Sequence, residues 1–174
     1  MYIFLKRISK NSSLHPVKSL SQEGEFASEE TLTLINKDKK LEKIRIIGPL
    51  RKHTQIEISI TDAFELKLDK LPPLRVSGDL ANAEKIILQG SKGKIETKSL
   101  IIAKRHLHIS EEEAKKLNLK NEQIIKIKTD GDRGLTFNNI IVRINKDYRL
   151  SLHLDTDEGN AAGINMKTSG EIVK

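Results

Sequence analysis

Short strand-like segments, closely spaced and separated by turn chemistry, limit the folds open to this chain more than any other feature. Residues 31–35, 43–47, 55–60, 85–88, 99–103, 124–128, 135–145 and 149–154 are rich in isoleucine and leucine. Many alternate apolar with polar side chains, the period of a strand with one buried face. Between them lie NKDKK, QGSKGK, TDGDRG and NKD, which reverse the chain. Helical periodicity is scarce. Ser110 and Glu113 form a capping box that opens SEEEAKKL, Thr61 can cap DAFELKL, and DTDEGNAAG reads as one short helix from Asp155 to a glycine. The paired prolines of LPPLRVSGD, residues 71–79, exclude a central strand or a helix there. Many short strands with small helices between them predict a mostly-β fold of small barrels.

A chain of 174 residues makes one ordinary domain or two small ones. It has no cysteine, so disulfides, thiolate zinc sites and a cysteine nucleophile are ruled out. Any metal must be held by histidine, carboxylate or water. No apolar run approaches the ~20 residues of a membrane span. The start, MYIFLKRISKNSS, places its charge after the apolar stretch, the reverse of a secretory signal. A soluble, cytoplasmic protein is expected, with no membrane partner.

The net charge is +7, and lysine supplies 23 of the 31 positive residues. Nucleic-acid readers lean on arginine forks and aromatic platforms. Here aromatics are 3% of the chain, tryptophan is absent, and the charge is spread rather than blocked. A solvated lysine-rich surface, or a protein that handles small anions, accounts for the charge.

His106 and His108 lie in KRHLHIS. On a strand, positions i and i+2 share a face, so both imidazoles can reach one metal; the alternative is an exposed strand with two incidental histidines. His153 lies in RLSLHLDTD, where Leu150, Leu152 and Leu154 take one face and His153 the other. Three histidines without cysteine are a known zinc set that leaves a fourth position open for substrate. Arg51 in GPLRKHTQIEIS can fork onto a phosphate or a carboxylate. Glu57 shares a strand face with Gln55 and Ser59, where it is either a hard metal ligand or part of a solvated face. His15 and His53 stand alone and read as surface histidines.

SLSQEGEFASEETLTL, IRIIGPLRKHTQIEIS, RVSGDL, RHLHIS, RGLTFNNIIVRI and LHLDTDEGNAA occur in this order. Together they closely resemble the PduL-type phosphate propanoyltransferases, the zinc-dependent phosphotransacylases. The likeness runs from about Lys6 to about Gly163, and RHxHxS and GPxRxxTQxE are its most specific parts. The resemblance implies two small β-barrels capped by short α-helices, residues 1–102 and 103–174, with the active site between them. It implies reversible transfer of a short acyl group, propanoyl or acetyl, between coenzyme A and inorganic phosphate through two zinc ions. Matched residue by residue, His106, His108 and His153 fall on the ligands of one zinc and Glu57 on a ligand of the other. Arg51 matches the phosphate-binding arginine, and Lys18, Arg45, Ser77 and Asn160 fall where the family contacts coenzyme A. The implied partners are acyl-CoA and phosphate, with no nucleic acid; a homodimer is suggested.

One departure from the family pattern bears on the second zinc. Family members start with another strand carrying RHxHL, whose histidine pair completes the site to which Glu57 belongs. Nothing like it precedes Leu20, and Met1 falls inside the family's first helix. The expectation is one barrel lacking its N-terminal strand and one zinc rather than two. Glycine also stands at residue 159, where the family has alanine. Two further readings follow: an impaired relative that binds zinc or coenzyme A without full activity, and a basic barrel that binds RNA. The RNA reading lacks an aromatic platform. The extension that targets some relatives to a bacterial microcompartment shell is not in this sequence, so that association has no support here.

Overall fold

The structure, a computed structural model, describes residues 13–20, 22–165 and 168–173. The expectations about residues 1–12, including the place of Met1 in the family's first helix, lie outside the described residues. Two compact units divide the chain, Met1–Ala103 and Lys104–Lys174. Each is built mostly of strands with short helices, the class expected from the alternation.

The first unit holds β1 (Pro16–Ser19), β2 (Phe26–Asn36), β3 (Lys39–Gly48), β4 (Ile56–Glu57), helix α1 (Ile60–Glu65), β5 (Leu74–Arg75), β6 (Glu84–Gly90) and β7 (Gly93–Ala103). Its sheet runs β1-β2-β6-β7-β4, with β3 on β2 and β5 on β7. Sequence pattern and sheet position agree along β7. Residues 93–98 alternate half-buried and exposed, whereas Ser99, Leu100, Ile101 and Ile102 are all buried. The change falls where β4 and β5 lie parallel to β7 and pair with residues 100–103. Leu34, Leu66 and Leu100 have no exposed surface and centre this core, each worth about 1.5–3 kcal/mol by area removed from water.

Several details differ from the sequence reading. The strand expected over 55–60 is only Ile56–Glu57, and the helix after it is capped by Ser59, not Thr61. Ser59 Oγ accepts the Asp62 N–H at 3.1 Å, and the Asp62 carboxylate accepts the Ser59 N–H at 2.9 Å. Starting there turns Ala63 and Leu66 into the core beside Ile58. A start two residues later would leave the reciprocal pair unmade. The polar edge strand β1, exposed throughout, and the two-residue β5 carry too little alternation to be seen in sequence.

The second unit holds β8 (His106–Ile109), helix α2 (Glu111–Lys116), β9 (Ile124–Thr129), β10 (Thr136–Ile144), β11 (Ser151–His153), helix α3 (Thr156–Ala161) and β12 (Gly170–Val173). The strand order is β11-β8-β10-β9-β12. β8 and β10 are parallel; the other neighbours are antiparallel. β9 shows the clean case of one buried face: Ile125, Ile127 and Thr129 point in, and Ile124, Lys126 and Lys128 point out. The capping box expected at Ser110–Glu113 is formed, and the short helix expected from Asp155 opens on a capping box of its own, Asp155 with Glu158. Among the described residues no helix is long and apolar enough to cross a membrane.

Candidate metal centre

All four residues of β8 are buried, yet only two of them are apolar. Leu107 and Ile109 face the core of the second unit with Ile140 and Val142. The alternation then sends His106 and His108 to the opposite face. Across the antiparallel pair with β11, His153 stands opposite His106 and Ser151 opposite His108. Strand register therefore delivers the third histidine to the face that carries the first two.

The three rings form a tight cluster. Their centroids are 4.7 Å apart for His106–His108, 4.7 Å for His106–His153 and 4.4 Å for His108–His153. One nitrogen from each lies within 4.8 Å of the others, close enough to hold one metal ion. Among the described residues this is the one group of three or more histidine or carboxylate side chains so gathered.

The protonation chemistry favours a cation. Burial, then the neighbouring His153, His106 and Arg143, holds His108 down to about 3. Burial, then His106 and Arg143, holds His153 down to about 4. Both rings are therefore neutral at pH 7 with a lone pair available, the form that coordinates metal. Nδ1 and Nε2 of His108 and Nε2 of His153 are buried without a hydrogen-bond partner. Buried polar atoms are normally paired, and a coordinated ion satisfies such atoms. His106 Nδ1 donates to the Lys104 carbonyl at 2.9 Å. A donating Nδ1 leaves Nε2 as the ligand atom, the usual arrangement of a metal-binding histidine. The donor set fits zinc.

These depressed values set a pH dependence for the metal-free fold. An unfolded histidine titrates at 6.5, whereas the folded rings titrate near 3 and 4. Below 6.5 the unfolded chain binds protons that the folded chain does not. The contribution is thus complete above 6.5 and is lost as pH falls toward 4. Melting of chelator-treated protein should drop across this window, and by less in a His108→Asn, His153→Asn variant. Parallel curves for the two proteins would contradict the burial of neutral rings.

Arg105 braces the cluster from the start of β8. Its guanidinium reaches Glu158 Oε1 at 2.6 Å and lies 5.3 Å from the centre of the Phe137 ring. The other oxygen of Glu158 closes the capping box of α3 by accepting the Asp155 N–H at 3.1 Å. This ties β8 to the helix that follows His153. Sequence reading missed two other residues. Arg143 lies opposite His108 in the β10–β8 register, a position visible only once the strands are paired. Tyr148 stacks on His108, and nothing in its spacing signals that contact.

The other expected site residues are distributed as follows. Asn160 is exposed on α3 of the second unit. In the first unit, Lys18 lies on the exposed β1. Arg45 donates to the Ser28 carbonyl at 2.6 Å, and Arg51 pairs with Glu25 at 2.5 Å. Glu57 and Ser77 are brought together through Gln55. The Gln55 amide nitrogen donates to Glu57 Oε1 at 2.5 Å and to Ser77 Oγ at 2.8 Å, while its oxygen accepts the Gly78 N–H at 2.7 Å. Gly78 sits at φ +103° in a turn closed by Asp79 N–H to the Val76 carbonyl, a conformation that favours glycine. His53 is exposed, and His15 is hydrogen-bonded to Glu30 at 2.5 Å; neither joins the cluster.

Known proteins place this arrangement. The phosphate propanoyltransferase family pattern matches residues 5–165. A phosphate propanoyltransferase of Thermotoga maritima is 42% identical over 162 residues, 92% of this chain and 75% of that protein. One from Shewanella putrefaciens is 44% identical over 149 residues, covering 84% of this chain and 70% of its own length. One from Salmonella typhimurium is 42% identical over 154 residues, covering 86% and 72%. The segments that match include the strands and turns that gather the three histidines, and the chain belongs to the phosphate propanoyltransferase family of acyltransferases.

Proposed function

We propose that this protein transfers a short acyl group, propanoyl or acetyl, reversibly between coenzyme A and inorganic phosphate, with zinc held by His106, His108 and His153. The three-histidine cluster, two of its residues buried and the third half-buried, carries the reading, set on a chain that belongs to an acyltransferase family. Zinc bound there supplies Lewis acidity for a thioester carbonyl or a departing thiolate. The chain itself supplies position and charge. Burial on the strand faces keeps the His108 and His153 imidazoles neutral, and the Lys104 carbonyl sets the tautomer of His106. Arg51 presents a planar fork to phosphate, giving up or sharing its contact with Glu25. Lys18, Arg45, Ser77 and Asn160 are assigned to coenzyme A. Glu57, held by Gln55, is assigned to a second zinc.

A second reading is favoured by one observation. Among the described residues Glu57 belongs to no group of three metal-ligating side chains. A relative that holds one zinc and binds coenzyme A with reduced transfer fits that fact. One experiment separates the two: elemental analysis of purified protein beside an assay of phosphate-dependent coenzyme A release from propanoyl-CoA and acetyl-CoA. Two zinc ions per chain with turnover supports the first reading. One zinc with coenzyme A binding and little turnover supports the second. Protein that takes up no zinc would overturn both.

A further inference from the structure

His108 is held differently from its strand neighbour His106. A metal-binding histidine usually donates its second ring N–H to a carbonyl or carboxylate, which fixes the plane of the ring as well as its tautomer. His106 does so through the Lys104 carbonyl. His108 has no such partner at either nitrogen, and both are buried. Its ring instead lies against Tyr148, centroids 4.0 Å apart and planes 17° from parallel.

Tyr148 is placed for this contact by the turn between β10 and β11. Its N–H donates to the Asn145 carbonyl at 3.1 Å, and the Asp147 N–H donates to Asn145 Oδ1 at 3.0 Å. The Asn145 N–H donates to the carbonyl of Ile109, one residue beyond His108, at 3.2 Å. The turn is thereby fastened to the end of the strand whose histidine it covers. The chain then enters β11, where Ser151 pairs with His108 and His153 with His106. A single short segment thus carries both the ring on His108 and the third histidine.

We propose that Tyr148 is a positioning residue for His108. Its aromatic face sets the imidazole plane that a metal requires, in place of the hydrogen bond used at His106. The proposal rests on the reading that the cluster holds zinc. It differs from ordinary packing in one respect: what matters is a flat ring at 148, not a hydroxyl or mere bulk.

The test compares full-length wild type, Tyr148→Phe and Tyr148→Leu in three measurements: zinc affinity by competition with a chelating dye, the visible spectrum of the cobalt(II) form, and melting of the metal-free protein. Tyr148→Phe keeps the ring face and should bind zinc within about twofold of wild type, with an unchanged cobalt spectrum. Tyr148→Leu should lose about tenfold in affinity, the lower end of what loss of an outer-shell partner costs, and its cobalt bands should shift. Should Tyr148→Leu melt too early to measure, Tyr148→Met is read the same way. Zinc binding and spectra like wild type in the leucine or methionine variant would overturn the role of Tyr148 while leaving the metal reading intact. A loss as large in Tyr148→Phe would overturn it too, because the hydroxyl and not the ring face would then matter. Wild-type protein that binds no zinc would overturn both.

Discussion

Replacing His106 with alanine should cut zinc affinity by on the order of 10³-fold, well beyond the 10–100-fold that follows loss of an outer-shell partner. His106 is the hinge of the cluster. It stands opposite His153 across the strand pair, shares a strand face with His108, and is fixed by the Lys104 carbonyl. Without it, two neutral imidazoles remain, and neither has a ring hydrogen bond to hold its plane. Two ligands do not define a closed site, and affinity depends on ligand count and geometry. Protein loaded with one equivalent of zinc and desalted should retain about one ion per chain in wild type and under about a tenth in the variant. Coenzyme A release from an acyl-CoA should fall with it. His53→Ala is the control, since that ring is exposed and outside the cluster. Equal zinc content in His106→Ala and wild type would show that the metal lies elsewhere.

The strand pattern and the face of each histidine were legible in the sequence because both follow from a period of two. His106 and His108 two residues apart, and His153 opposed in direction to Leu152 and Leu154, needed no more than alternation. That the two strands would be neighbours in this register was not legible. Pairing is a long-range choice, and the same alternation fits several partners. Everything that depends on the pairing was hidden with it: Arg143 beside His108, the orphaned ring nitrogens, and the depressed titration of two rings. The cap of α1 was misread for a different reason. Ser59 and Thr61 are both adequate caps, and the choice was made by Ala63 and Leu66 turning inward, a tertiary preference that overrides the local signal. In the first unit Gln55, and not a charged residue, links Glu57 to the Ser77 turn.

Arg51→Lys should lower kcat/KM for phosphate about 100-fold, an effect of about 2.7 kcal/mol, while the KM for coenzyme A changes less than about threefold. The physical distinction is between charge and shape. Lysine keeps the positive charge but replaces a planar fork with a single rotating ammonium, so it cannot make two parallel bonds to a phosphate. Hydrogen bonds to charged groups contribute about 1.5–3 kcal/mol each, so loss of one leg of the fork is enough. The alternative role for Arg51 is support of the fold through its pair with Glu25. That pair is half exposed on the arginine side, with side-chain exposures of 53% and 31%. Pairs so exposed contribute about 0–1 kcal/mol, too little to unfold the first unit or to disturb both substrates. Glu25→Gln separates the roles. With the competing carboxylate neutralised, the Arg51 fork is more available to phosphate, so the KM for phosphate should hold or fall. If the pair served the fold, Glu25→Gln and Arg51→Lys should destabilise alike and weaken phosphate and coenzyme A together. Steady-state kinetics with each substrate varied, beside melting curves of both variants, reads the difference. Parallel losses in the two variants would remove Arg51 from the phosphate site.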